Sequence, residues 1–383
     1  MANLHWPDTG SRGHNTPRRA IDIDVKTNSI RLQLVAVFDV AQVSIQVEAQ
    51  SVASNSAPIL ATDIGGTYAR LGLALPREIG ARGVNVGSFR QYVCADYPGL
   101  GAIVGDFLSS LNGQSVRGVA IASAGYPLGD TMLQSNLPWP VSLSELRAKF
   151  GFHELTLIND FAAIAYGTQF LAPGDATLLS KASSPPAPGP TLVMGPGTGL
   201  GAAVLLPGAH HPMVIGTETG QVAFAPTTDL DIEILKVLRT RQKHVSNENI
   251  VSGPGLVNVH SALSVIHSER PLYRTPAEIT AAAIDDHEPH AMEALDAFCG
   301  ALGSVAGQST LFFGAHGGVQ LAGGILPRMK NFLMNSSFLE RFHGASPMRS
   351  LLEKIPVKLI EHGQLGVIGA ASWYFDTHQG STD

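Results

Sequence analysis

The 383-residue sequence predicts an α/β fold with mixed sheets, arranged in two halves that resemble one another. Three features predict it. From Pro58 onward, short apolar runs bounded by glycine or polar residues give way to segments of helical spacing. The strand–glycine turn–strand unit Leu60-Ala-Thr-Asp63-Ile-Gly65-Gly66-Thr67-Tyr-Ala-Arg70 has a counterpart about 130 residues later in Thr191-Leu-Val-Met194-Gly195-Pro-Gly197-Thr198-Gly199-Leu-Gly201. Finally, the apolar run Leu155–Ile158 leads straight into Asn159-Asp160 and an alanine-rich helix, and α/β proteins hold ligands at such strand ends.

Taken in order, strands are expected at Ile59–Asp63, Ala69–Leu75, Phe89–Ala95, Gly118–Ser123 and Leu155–Ile158, with a helix from Phe161 to Gly167. Ser180–Pro190 holds four prolines in eleven residues and reads as a loop. Thr191–Met194 is the next strand, and Ala202–Pro207 returns from its glycine turn. Apolar spacing near three and four residues marks helices at Asp229–Gln242, Gly255–His267, Pro276–Asp285 and Pro289–Phe313. Gly317–Pro327 reads as strand, glycine turn and a helix opening near Pro327. A last strand, Val357–Glu361, precedes a last helix, Leu365–Tyr374. The first 55 or so residues differ from the rest, although alternation from Ile30 to Val47 suggests a strand pair. They read either as an atypical extension or as the product of an upstream start wrongly chosen, and the second reading is favoured. No catalytic role is expected of them.

Composition narrows the function. Hydrophobic residues make up 44% and charged residues 15%, which suits a compact chain of 40.3 kDa with two cores. The formal charge of -6 and the lack of any long Lys/Arg run argue against a nucleic-acid partner. Cys94 and Cys299 supply neither a disulfide framework nor zinc spacing, so a reducing cytoplasm is expected. No run of 18 apolar residues occurs, and no membrane association is expected. His210-His211 reads as solvated loop, and the fourteen histidines form no metal pattern.

The glycine turns carry the chemistry. Gly65 and Gly66 lack the Cβ atoms that would keep backbone N–H groups from an anion, they tolerate the positive φ of a tight turn, and Thr67 adds a hydroxyl donor. An ordinary hairpin is the plainer reading of that segment alone. Asp63 at the strand end suits Mg²⁺, bound directly or through water. Gly197, Thr198 and Gly199 are expected to grip a γ-phosphate, and Gly323-Gly324 to let an adenosine lie against backbone. A pair of such turns would clamp a nucleotide between domains. A dinucleotide fingerprint fails because a strand, not a helix, follows Gly201, and no P-loop lysine motif occurs. Asp160 is the candidate general base for a hydroxyl nucleophile, and it also suits a helix N-cap; both can hold together. Asn159 offers a donor and acceptor for a diol or for turn chemistry. Glu218 and Glu248 lie beside glycine-rich turns, where carboxylates take paired hydrogen bonds from vicinal hydroxyls, although surface glutamates are common.

Together, Asp63-Ile-Gly-Gly-Thr67, Leu157-Ile-Asn159-Asp160-Phe161, Gly197-Thr-Gly-Leu-Gly201, Glu248 with Ser252-Gly-Pro-Gly-Leu-Val-Asn258, and Leu321-Ala-Gly-Gly-Ile-Leu-Pro-Arg328 closely resemble the bacterial glucokinase family, from about residue 58 to the last helix. The resemblance implies a two-domain actin-like ATPase (ribonuclease H-like) fold with an interdomain cleft. It implies residues 58–172 with 362–383 as a small domain, and 173–361 as a large one. It implies ATP-dependent phosphorylation of the glucose 6-hydroxyl, with ATP and Mg²⁺ required, Asp160 as base, and Asn136, Asn159, Glu218 and Glu248 on the sugar. The related repressor/kinase group is less similar, because its zinc-binding cysteine cluster is absent.

Three departures stand out. Gln221 replaces the histidine that ends the family's Glu-x-Gly-His, and Tyr68 replaces the asparagine after Gly-Gly-Thr. The segment Gly300–Leu311 strays from the family's Gly-Asn-Leu-Ala-Leu ending. Gln221 can still donate and accept, so weaker glucose binding or altered sugar choice is expected before any loss of catalysis. Two further readings stand beside the glucokinase: a sugar-responsive binding protein with little turnover, and a kinase for another hexose. A homodimer is compatible with the sequence and not specified by it.

Overall fold

The computed structural model describes residues 20–27, 30–39, 42–48, 57–77, 83–128, 130–133, 137–180, 188–209 and 211–379. The chain divides into two compact units, residues 1–57 and 58–383. In the first unit, β1 (Ala20–Thr27), β2 (Ile30–Asp39) and β3 (Gln42–Glu48) form an antiparallel sheet in that order, and the expected pair is β2–β3 with Phe38 opposite Val43.

The second unit opens with β4 (Ile59–Ile64), β5 (Tyr68–Pro76), β6 (Val84–Val93), α1 (Leu100–Ser109) and β7 (Gly118–Ser123). The ribbon β8 (Tyr126–Leu128) and β9 (Thr131–Leu133), α2 (Leu143–Phe150), β10 (Glu154–Asn159) and α3 (Asp160–Gly167) complete its first part. Next come β11 (Ala176–Leu178), β12 (Thr191–Pro196), β13 (Leu200–Leu206) and β14 (Met213–Thr217), then α4 (Asp229–Arg239), α5 (Gly253–Ile266), α6 (Pro276–Ile284) and α7 (Pro289–Phe313). The chain ends with β15 (Gly318–Leu321), α8 (Lys330–Asn335), α9 (Phe338–His343), α10 (Arg349–Leu352), β16 (Val357–Ile360) and α11 (Leu365–Gln379).

The duplication expected from the two glycine turns extends to whole sheets. In the first, ordered β10-β7-β4-β5-β6, the hairpin β4–β5–β6 is antiparallel while β7 and β10 run parallel to β4. In the second, β16-β15-β12-β13-β14 repeats that pattern strand for strand, and β11 adds an antiparallel edge. The central strands β4 and β7 are buried along their whole length, as parallel-type strands covered on both faces must be.

Separate cores flank the sheets. Leu60, Leu71, Phe107, Ile121 and Leu146 fill the space between the first sheet and α1–α2, while a larger core holds β12, β13, β15 and β16 against α4 to α7. The opposite face of the first sheet carries α3 and α11, packed through Ala162, Ala163, Val367, Ala370 and Ala371. Between the sheets lies a small apolar joint of Phe161, Ala165, Val193, Ala203, Ala322, Ile360 and Leu365. Gly201 is required there, because a Cβ on it would stand 1.9 Å from the Phe161 ring. Thus α3, the helix that begins at Asp160, is wedged between both sheets, and the start of that helix is fixed by each. Among the described residues, no helix is long and apolar enough to cross a membrane.

Candidate active site

Both glycine turns are tight hairpin tips: Ile64 pairs with Ala69 around the four residues 65–68, and Pro196 pairs with Leu200 around the three residues 197–199. Their tips meet. The Thr67 and Thr198 hydroxyls lie 3.1 Å apart. Each tip is tied down from outside: Cys94 N–H donates to the Thr67 carbonyl at 2.9 Å, and Gly253 N–H donates to the Gly197 carbonyl at 2.8 Å. One expectation is corrected here. Neither Gly65 nor Gly66 adopts a positive φ, so glycine at this tip serves open access and not handedness. A Cβ on Gly197 would meet nothing within 4 Å, and the backbone there is bare toward the cavity.

The tips roof a cavity of about 860 Å³. Asp63, Gly65, Gly66, Thr67, Asn159, Asp160, Gly197, Thr198, Gly199, Glu218, Gln221, Glu248, Gly323 and Gly324 all line it, and Asn136 lies outside the described residues. Residues drawn from six separate stretches of sequence therefore face one space.

At its floor, β10 ends and α3 begins. The cap differs from expectation: Asn159, not Asp160, is the N-cap, its Oδ1 accepting from Ala162 N–H at 3.0 Å. Asn159 also donates to the Gly125 carbonyl at 3.2 Å, which leaves one amide hydrogen and one lone pair for a ligand. Asp160 accepts from Phe161 N–H at 2.8 Å, and Asp63 and Glu218 are near enough for their charges to act on it. Burial, then the charges of Asp63 and Glu218, push its carboxyl up to about 7. It remains half-buried because one side opens on the cavity.

Asp63 is buried at the end of β4, and burial raises its pKa even though Arg70 lies 3.2 Å away and favours the charged form. Arg70 lines the cavity too, and sequence reading passed over it. Its signal was available, since the hairpin register that pairs Ile64 with Ala69 must set Asp63 opposite Arg70. Asp63 also needs Gly366 at the start of α11, where a Cβ would come within 2.5 Å of its Cγ.

Glu218 follows β14, and Gln221 ends the short turn after it. Burial and then the nearby Glu248 charge raise the Glu218 pKa. Glu248 Oε2 accepts from Leu200 N–H at 2.9 Å. Tyr68 lines the first tip, while Thr280, Ala281 and Ile284 of α6 wall the far end opposite Gly323-Gly324. Away from the cavity, His211 is exposed as expected and pairs with Asp376 at 3.4 Å.

An enclosed acid poised to exchange a proton, bare hairpin amides and a ring of carboxylates suit transfer of an anionic group to a polyhydroxylated acceptor. Comparison with known proteins agrees. The family model described as glucokinase matches residues 60–377. A glucokinase-like protein of Xylella fastidiosa (strain Temecula1) is 42% identical over 328 residues, 85% of this chain and 96% of that protein. A glucokinase of Saccharophagus degradans is 36% identical over 82% of this chain and 98% of its own length. The crystal structure of a glucokinase from an Antarctic psychrotroph superposes with a TM-score of 0.71 at 34% identity, covering 83% of this chain and 99% of that one. The shared architecture is the actin-like ATPase fold, and the chain belongs to the glucokinase family of sugar kinases.

Proposed function

We propose that this protein transfers the γ-phosphoryl group of ATP to the 6-hydroxyl of glucose. The observation that carries the reading is the meeting of Asp160 with both hairpin tips around one cavity. Glucose binds at the floor, where Asn159, Glu218, Gln221 and Glu248 take its hydroxyls and turn the 6-hydroxyl toward Asp160. Asp160 accepts that proton as the phosphoryl group arrives, which suits a carboxyl whose pKa is raised to about 7. Backbone N–H groups of the Gly65–Thr67 and Gly197–Gly199 tips, with the two threonine hydroxyls, hold the phosphates. Gly323-Gly324 and α6 hold the nucleoside.

The residues also fit Mg²⁺. The charge of Asp63 disfavours ionisation of Asp160, and a divalent cation near Asp63 offsets that repulsion. Among the described residues no cluster of three metal-ligating side chains occurs, which suits a cation held largely by water and phosphate oxygens. When bound, Mg²⁺ neutralises charge on the β- and γ-phosphates. Closure of residues 58–172 and 362–383 onto 173–361 excludes water, which would otherwise compete as acceptor. Two buried free thiols, Cys94 and Cys299, suit a cytoplasmic setting.

Initial rates with ATP and Mg²⁺ across a hexose panel test the assignment. Glucose is expected to give the highest kcat/KM. A different hexose in first place replaces the substrate, and glucose binding without ATP consumption replaces the enzyme with a sensor.

A further inference from the structure

We infer that Glu248 is a positioning residue that couples the sugar end of the cleft to the second phosphate hairpin, so that bound sugar tightens the grip on the phosphoryl donor. The inference rests on the proposed reading of the cavity.

The segment from Asn247 to Gly253 is bonded in two directions. Toward the sugar end, Asn247 N–H donates to the Val222 carbonyl at 2.9 Å and its Nδ2 to the Thr219 carbonyl at 3.0 Å, which fixes it to the turn bearing Glu218 and Gln221. Toward the phosphates, Gly253 N–H holds the Gly197 carbonyl at 2.8 Å, and Glu248 Oε2 holds Leu200 N–H at 2.9 Å. Leu200 is the first residue after the Gly197–Gly199 tip, and Gly220 backs onto it so closely that a Cβ would lie 2.3 Å from the Leu200 carbonyl. The Glu248 backbone has no freedom of its own, because Ser252 Oγ donates to its carbonyl at 2.7 Å while capping α5.

Three of these four links are made by backbone or by a buried amide, and they persist whatever the cavity holds. The Glu248–Leu200 bond is different. Its acceptor is a carboxylate on a side chain that lines the cavity together with Glu218, so it can turn between Leu200 and a ligand. Without sugar, that bond competes with the freedom of the side chain to rotate into the cavity. Sugar hydroxyls that donate to both carboxylates take that freedom away and hold Glu248 against Leu200, where a charge-assisted bond is short and directional. The tip is then ordered before the phosphates arrive, and by linkage the donor must strengthen sugar binding by the same factor.

Calorimetric titration of a non-hydrolysable ATP analogue with Mg²⁺, with and without saturating glucose, tests this. In the wild-type protein glucose is expected to lower the analogue Kd by about 5- to 150-fold, the usual range of such coupling. Glu248→Ala, and Glu248→Asp, whose shorter chain cannot reach Leu200, are expected to shrink that effect to within about twofold. Glu248→Gln retains a carbonyl acceptor for Leu200 N–H and should restore most of it. Glu218→Gln should weaken glucose binding and, at saturation, leave the coupling intact. Undiminished coupling in both Glu248→Ala and Glu248→Asp overturns the inference, as does equal loss in Glu218→Gln. Wild-type protein that binds no glucose overturns instead the proposed function on which the inference stands.

Discussion

Burial beside Asp63 and Glu218 lifts the Asp160 carboxyl from 3.8 to about 7, and both rate and stability respond. A general base must be ionised, so kcat/KM is expected to fall as pH drops through about 7, with the midpoint read from the free-enzyme profile. Asp160→Ala should lower kcat by about 10² to 10⁴ without unfolding the chain, and unchanged turnover would remove Asp160 from the mechanism. The folded state prefers the neutral acid, so its stabilising effect is complete below 3.8 and is lost as pH rises through about 7. Asp160→Asn should therefore melt at a higher temperature than wild type at pH 8, with the gain growing from pH 4 to pH 7; a gain independent of pH would contradict this assignment. At Gln221, restoring histidine should lower the glucose KM by up to about tenfold, the equivalent of one neutral hydrogen bond of roughly 0.5–1.5 kcal/mol, with kcat little changed. Glucose KM measured on Gln221→His decides it.

Among the elements, α3 has the most demanding position. Asn159 caps it, Asp160 opens it, and Phe161 rests on the bare backbone of β13 at Gly201. Gly201→Ala forces a methyl into the Phe161 ring and should cost about 1–3 kcal/mol or more, read from urea unfolding, together with a loss of activity because the ring adjoins Asp160, the proposed base. Unaltered stability would show that the joint between the sheets yields freely. Some elements were legible and others were not. The 25 residues of α7, Pro289–Phe313, emerged with the boundaries their spacing implies. The short helices α1 and α2 went unseen: Leu100–Ser109 has no side-chain cap and contains Gly101 and Gly105, poor helix formers. Gly101 is tolerated because Glu145 and Lys149 of α2 pack over it, so tertiary contact overrides propensity. Ser142 followed by Glu145 was a readable capping signal for α2. Strand β14 escaped as well, since Met213 and Ile215 on this sheet edge are exposed and break the expected burial pattern.

For the whole molecule, two sheets of one topology each present a glycine turn to a shared cavity, and the proposed transfer has the tips part and meet again. Adding glucose with a non-hydrolysable ATP analogue should slow amide hydrogen exchange at residues 65–68 and 197–201 while the sheet cores stay as protected as before. Slowing spread evenly through both cores would argue against closure by rigid bodies.

The sequence by itself determined the strand–turn–strand units, the strand that delivers Asn159 and Asp160, the glycines that bare the backbone, and fourteen of the residues that face the cavity. All are local patterns, set by the alternation of apolar residues and by the lack of a Cβ. Tertiary structure alone decided that β7 and β10 flank β4 in parallel, that Gly366 of the last helix leaves room for Asp63, that Glu248 reaches Leu200, and that Asp160 titrates near 7. Those outcomes depend on which distant segments bury one another's surfaces, because desolvation and charge at a site are properties of its neighbours in space and are not written in the residues beside it in the chain.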